Sequence, residues 1–270
     1  MVTSFRVPFV TTALLTLSLG AAGAAAPTIQ ELPHSRVVTY LNGQPSWFVC
    51  DGIDTPTVSV LGWPDASGRS RLTTYQKSSS GTYSFQNYRV GGGDPGAGQI
   101  HYPLTLAKGS TTKSGVPYNV ASFNTGVLDH PEEALTPPIL GVTSAESEGQ
   151  CRWVLNTRLL GFSNRRSVQI TQAPGGALTY QTWNFADAAN SRAVNPDGVQ
   201  RSTVPSLSIS GGTRLINNTQ ESFVFQNAGY TYTVRVARQG QPGAASITVS
   251  KGGKVLQTEP LTGYTYAVMK

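Results

Sequence analysis

The sequence predicts an all-β protein, mainly antiparallel and folded as a sandwich or barrel in one or two lobes, behind an N-terminal signal peptide. Three observations predict it. Glycine and proline are abundant, at 29 and 17 residues, while only 13% of the 270 residues are charged. Such a composition favours turns and strands over helices. Strand-like stretches recur between turn-forming clusters at the spacing of sandwiches and barrels. Only one segment, near 129–136, reads as a short helix.

The first 26 residues carry Arg6, an apolar run from Val7 to Leu19 and small residues from Gly20 to Ala26, the three parts of a secretory signal in order. Cleavage is expected after Ala24, because the competing site at Ala26 precedes Pro27. The apolar run is shorter than the ~20 residues a bilayer-spanning helix needs, so no membrane span is expected. The chain then divides into a signal peptide over 1–24, a β-rich lobe over 25–145 and a basic β-meander over 146–270, with a soft boundary that leaves a single domain open. The expected location is secreted or periplasmic.

In the first lobe the strands expected are Arg36 to Leu41, Ser46 to Cys50, Thr57 to Leu61, Arg71 to Lys77 and Thr82 to Val90. The run Gly91 to Gly98 reads as a surface loop, since glycine weakens a strand and Pro95 lacks a donor. Extended segments follow at Ile100 to Leu106 and Tyr118 to Asn124. Asp129, Pro131, Glu132 and Glu133 suit a helix start, with a cap, a first-turn proline and carboxylates at the positive end of the dipole. Pro137 and Pro138 end it. Residues 141–149 are small and polar and mark the boundary.

In the second lobe, Trp153 to Leu160, Ser167 to Gln172 and Ala177 to Phe185 form a meander. Tyr230, Tyr232, Val234 and Val236 make a core stripe by their period of two. The clearest hairpin joins Ser246–Lys251 to Lys254–Glu259 through Gly252-Gly253, a two-residue loop that requires positive φ. Its register is expected to set Val249 opposite Leu256, Ser250 opposite Val255 and Lys251 opposite Lys254.

Cys50 and Cys151 are the only cysteines, and in an oxidising compartment a lone pair is expected as a disulfide. Two thiols and three scattered histidines match no zinc spacing, and no cofactor motif is present, so neither metal nor cofactor is expected. Charge is uneven. Residues 27–150 hold seven Lys/Arg against ten Asp/Glu, and 151–270 hold twelve against four. A cationic half favours anionic partners. Arg158, Arg165 and Arg166 lie between Trp153 and Trp183, with Arg152 just before them, and these guanidinium forks and aromatic faces are the candidate binding residues. The partner expected is an anionic glycan or another envelope polymer, and a protein partner is the alternative.

Two short resemblances accompany this reading. His130 followed by Ser147-Glu148-Gly149-Gln150-Cys151-Arg152 resembles the L,D-transpeptidase signature, which implies a cysteine-dependent envelope enzyme; Gln150 is an extra residue in that pattern. Trp47-Phe48-Val49-Cys50-Asp51 and Ser80-Gly81-Thr82-Tyr83 are similar to the early strand and cleft-entering loop of exported β-barrel inhibitors of c-type lysozyme, with the loop one residue short. That similarity implies an inhibitor or interaction module. Catalytic schemes are otherwise limited, since no Gly-x-Ser-x-Gly, His-Glu-x-x-His or Cys-x-x-Cys motif occurs. The expectation is a non-enzymatic exported β protein that binds an anionic or carbohydrate component.

Overall fold

The computed structural model describes residues 35–96, 98–107, 117–124, 139–144, 148–152, 155–187, 204–238 and 245–269. The expected signal segment, the expected helix near 129–136 and Trp153 lie outside these residues. Within them the protein is all-β and antiparallel, with no helix. The strands are β1 (Ser35–Leu41), β2 (Gln44–Ser46), β3 (Phe48–Asp51), β4 (Thr57–Leu61), β5 (Arg69–Gln76), β6 (Tyr83–Val90), β7 (Asp94–Pro95), β8 (Gln99–Leu106), β9 (Pro117–Phe123), β10 (Ile139–Ser144) and β11 (Glu148–Gln150). They continue with β12 (Thr157–Phe162), β13 (Arg166–Gln172), β14 (Leu178–Asn184), β15 (Leu207–Ser210), β16 (Thr213–Ile216), β17 (Gln220–Asn227), β18 (Tyr230–Ala237), β19 (Ser246–Lys251), β20 (Lys254–Pro260) and β21 (Gly263–Met269).

Three sheets result. The nine-stranded sheet runs β11-β10-β9-β8-β6-β5-β4-β3, with β7 paired to β8. Its two ends meet. Gly52 bridges Cys151, the amide of Ile53 donates to the carbonyl of Gln150 at 2.8 Å, and the amide of Arg152 donates to that of Asp51 at 2.6 Å. The sheet therefore closes into a barrel, which removes its free edges. Alternate residues fill the inside: Phe48, Cys50, Leu61, Leu72, Tyr88, Val90, Tyr102, Leu104 and Val120 form one buried cluster.

The seven-stranded sheet, β15-β14-β13-β12-β21-β1-β2, packs on the five-stranded sheet, β16-β17-β18-β19-β20. Their facing side chains form the largest core, including Leu159, Val168, Ile170, Tyr180, Phe223, Phe225, Val234, Val236, Ile247 and Tyr266. This is a sandwich. The stripe expected on β18 belongs to it, with Val234 and Val236 fully buried and Tyr232 packed against the cluster. The outer faces of β3, β4 and β5 supply Val49, Val58, Val60 and Tyr75 to a third cluster with Phe162, Phe185 and Leu41, so the barrel docks on the sandwich through an apolar junction. The expected division near residue 145 is crossed twice. β1 pairs with β21 along its whole length, and β11 closes the barrel.

The Gly252-Gly253 turn has φ of 56° and 79°, as a two-residue hairpin loop needs. Ser250 faces Val255 and Lys251 faces Lys254, as expected, but Val249 faces Gln257 because a bulge follows it. The extra residue is Leu256, which is displaced to the surface. Lys251 lies over the Tyr230 ring at 4.6 Å, so an aromatic face rather than an acid accompanies that ammonium.

Candidate functional site

The cysteines are joined. Cys50 and Cys151 form a disulfide with Cα atoms 5.0 Å apart, at the point where the barrel closes. Cys151 has no thiol to ionise, so the nucleophile implied by the transpeptidase resemblance is absent. The next rung is ionic. Asp51 is buried between Lys77, at 2.7 Å, and Arg152, also at 2.7 Å. Lys77 donates in addition to the carbonyl of Gly52, and the Arg152 guanidinium stacks on Trp183 at 3.6 Å.

Two further carboxylates are buried with basic partners. Glu221 accepts from Arg158 at 3.1 Å, from Arg214 at 2.5 Å and from the Tyr266 hydroxyl. Arg158 reaches it because it sits at the irregularity between Thr157 and Leu159, and a bulge re-aims its side chain. Glu259 pairs with Arg166 at 3.3 Å and accepts from Ser163 and Gln257.

These pairings relocate the expected binding residues. Arg158 is 0% exposed, Arg152 5% and Trp183 3%, so none of the three offers a face to a ligand. Arg166 is half-buried against Glu259. Among the expected residues that the structure describes, only Arg165 is exposed. Part of the cationic surplus of the second half thus neutralises carboxylates inside the fold, where an unpaired charge is costly.

The buried carboxylates carry a pH dependence. Burial alone would raise the pKa of Asp51, but the charges of Lys77 and Arg152 and their hydrogen bonds outweigh it and hold the group below the ordinary carboxylate range. Burial likewise opposes Glu221, and the hydrogen bond from Arg214, the charge of Arg158 and the Tyr266 hydroxyl bring it below the ordinary value. A carboxyl with a depressed folded pKa stabilises the fold above its unfolded pKa and loses that contribution as pH falls through the folded one. The urea midpoint is expected to hold steady from pH 7 to 5 and to drop below about pH 4. Equal midpoints at pH 7 and pH 3 would contradict this.

A different surface collects exposed binding chemistry. Strands β5 and β6 pair with Tyr75 opposite Tyr83, Thr73 opposite Phe85, Arg71 opposite Asn87 and Arg69 opposite Arg89. Side chains two residues apart share a face, so these four rungs form one ladder on the outside of the barrel, about 20 Å long. Tyr83 is 58% exposed and Phe85 52%. Their orientation is held. Tyr83 packs on Tyr75 with ring centroids 5.2 Å apart, and the Arg71 guanidinium covers one face of Phe85 at 4.4 Å. Arg71 also donates to Asn87 at 3.5 Å.

The aromatic end of this ladder faces the β1–β2 turn across a cleft of ≈ 350 Å³, whose other wall holds Leu41, Asn42, Gln44 and Ser46. Asn42 and Gly43 have φ of 49° and 76°, the left-handed pair of a two-residue hairpin loop, and Asn42 donates to the Tyr75 hydroxyl at 3.4 Å. The cleft thus lies where sandwich meets barrel, offering stacking surfaces, amides, hydroxyls and one guanidinium. Its lining contains no carboxylate, histidine or cysteine. The hairpin turn that resembles the lysozyme-inhibitor loop lies against the β12–β13 turn: a Cβ on Gly81 would be 3.7 Å from that of Asn164.

The expected arginine cluster and this ladder therefore differ. A signal for the ladder exists in β6, where Tyr83 and Phe85 fall on one parity and Tyr88 and Val90 on the other; a strand cannot bury both faces against one barrel interior. Among the described residues no group of three His, Cys, Asp or Glu side chains could hold a metal ion, and no helix is long and apolar enough to cross a membrane. Compared with family models, curated proteins and solved structures, the chain matches none.

Proposed function

We propose that the protein is exported to an oxidising compartment, where it binds a carbohydrate polymer without chemically altering it. The observation that carries this reading is the pair Tyr83 and Phe85, two exposed aromatic rings on one strand face, each held in place by a neighbour and bordered by a cleft of amides and hydroxyls. Sugar rings combine apolar C–H faces with a rim of hydroxyls, so a rigid aromatic surface beside fixed hydrogen-bonding groups is complementary to them. The cleft lining favours binding over hydrolysis, because glycoside hydrolysis ordinarily takes two carboxyl groups flanking the bond. The disulfide supports the compartment, since such bridges persist where thiols are not kept reduced.

Affinity electrophoresis in gels carrying neutral dextran, polygalacturonate or dextran sulfate tests the reading. Wild-type protein is expected to be retarded by at least one polymer. The Tyr83→Ala/Phe85→Ala variant is expected to lose ~10-fold or more in affinity, the loss of two stacking contacts at roughly 1 kcal/mol each, while keeping its melting temperature within a few degrees. Free migration of the wild type in every gel, or undiminished retardation of the variant, would overturn it.

A further inference from the structure

The far end of the same ladder holds two exposed guanidinium groups on one rung. Arg69 on β5 stands directly opposite Arg89 on β6, and Arg89 in turn stands opposite Thr105 on β8. The three residues form one rung across three strands, and together with Leu106 and Ala107 they line a second cleft of ≈ 320 Å³. Both arginines are exposed, and neither makes an ion pair among the described residues. The charge of Asp65 reaches Arg69 without forming an ion pair with it: Asp65 Oδ1 accepts from the amides of Ser67 and Arg69, at 2.8 and 2.9 Å, and from the Ser67 hydroxyl.

Directly opposed like charges destabilise a strand pair. The other exposed like pair, Lys251 and Lys254, has Tyr230 under one of its ammonium groups, and Arg71 on the same ladder lies over Phe85. Among the described residues no aromatic ring covers Arg69 or Arg89. Two guanidinium forks lining one cleft beside a hydroxyl present several N–H donors of the kind that oxyanions accept.

We propose that Arg69, Arg89 and Thr105 form an anion-binding subsite for an oxyanion substituent, a sulfate or phosphate ester, on the glycan whose rings lie along Tyr83 and Phe85. The inference rests on the glycan-binding reading and narrows it to an anionic polymer. A sulfate ester would offset one of the two positive charges and a phosphate monoester up to both, and Arg71 and Asn87 lie on the rung between this subsite and the aromatic end.

The test compares four proteins by affinity electrophoresis with dextran sulfate, phosphorylated dextran and neutral dextran at 50 and 200 mM salt: wild type, Arg69→Gln/Arg89→Gln, Tyr83→Ala/Phe85→Ala, and Arg165→Gln/Lys254→Gln, which removes the same formal charge elsewhere. The Arg69/Arg89 variant is expected to bind both charged polymers ~10-fold or more weakly, to lose most of the salt sensitivity and to match wild type on neutral dextran. Its melting temperature is expected to equal or exceed that of wild type, since a repulsion is removed. Preference between the sulfated and phosphorylated polymers identifies the ester. The subsite is overturned if the Arg69/Arg89 variant binds as wild type does, or if the Arg165/Lys254 variant loses as much. An aromatic variant that alone fails on every polymer would overturn the subsite while leaving the glycan reading intact, whereas no binding by wild type removes both.

Discussion

Replacing Asp51 with alanine is expected to cost the fold about 3–5 kcal/mol, the range for breaking a buried ion pair by removing one partner. Asp51 is 1% exposed and lies between two cations, and both would remain in place after it is gone. Lys77 is 3% exposed, and burial already pulls its pKa below the ordinary lysine value against the attraction of Asp51. Without the carboxylate the ammonium must shed its proton or open the structure to water. The loss is read from urea unfolding at pH 7, and a change under 1 kcal/mol would show that water reaches the site. Asp51→Asn paired with Lys77→Met separates charge from packing: the double variant is expected to recover at least half of the loss of Asp51→Asn alone, because the buried charge and its partner disappear together.

Removing the disulfide has the next largest expected effect. Cys50 and Cys151 are 101 positions apart, and a crosslink over such a span constrains the unfolded chain by on the order of 4 to 5 kcal/mol in the loop-entropy model. The Cys50→Ala/Cys151→Ala variant is expected to lose stability on that scale. The location of the loss is also specified. The bridge, the Asp51–Arg152 pair and the amide bonds of Ile53 and Arg152 are successive links across one seam, so those amides are expected to exchange faster in the variant than the core of β17 and β18. Uniformly increased exchange would mean that the bridge acts on the unfolded chain alone. Because disulfide and ion pair share that seam, the losses from Asp51→Ala and from the cysteine variant are expected to sum to more than the loss when both are made together.

The fold class and most strands were legible because local pattern determines them. β4 spans Thr57–Leu61 as expected, and the Gly252-Gly253 hairpin keeps two of its three expected pairs. The bulge after Val249 was not legible, since nothing in a two-residue turn encodes an irregularity three residues away. β21 escaped for another reason. Tyr264, Thr265, Tyr266 and Ala267 are buried on both faces of the central strand, so the alternation that marks a half-exposed strand is missing. Residues 141–149 look like a linker because most are small, yet Gly141 and Gly149 are where β10 and β11 approach: a Cβ on Gly141 would meet the carbonyl of Gly149 at 2.9 Å.

Arg152 and Arg158 do not form part of the expected surface because their partners are remote. Glu221 lies 63 positions from Arg158 and Asp51 lies 101 from Arg152, distances at which counting charge along the chain carries no information about pairing. The ladder on β5 and β6 was nearer to hand. Its strands were both expected, and the parity change between Phe85 and Tyr88 separates the outward aromatics from the inward ones.

The pairing of β1 with β21 sets an order of events as well as a structure. Thr39 and Thr265 share a hydrogen bond across 226 positions, and β21 lies between β12 and β1 in the seven-stranded sheet. A chain that emerges N-terminus first holds β1 with only the short β2 beside it until every other described strand has been delivered. The barrel, built from β3 to β11, can close earlier, and its seam is sealed by Cys151 long before β21 arrives. Assembly thus runs from a locally wound barrel to a sandwich completed by its last strand, and contacts of such long reach make that second step the slow one.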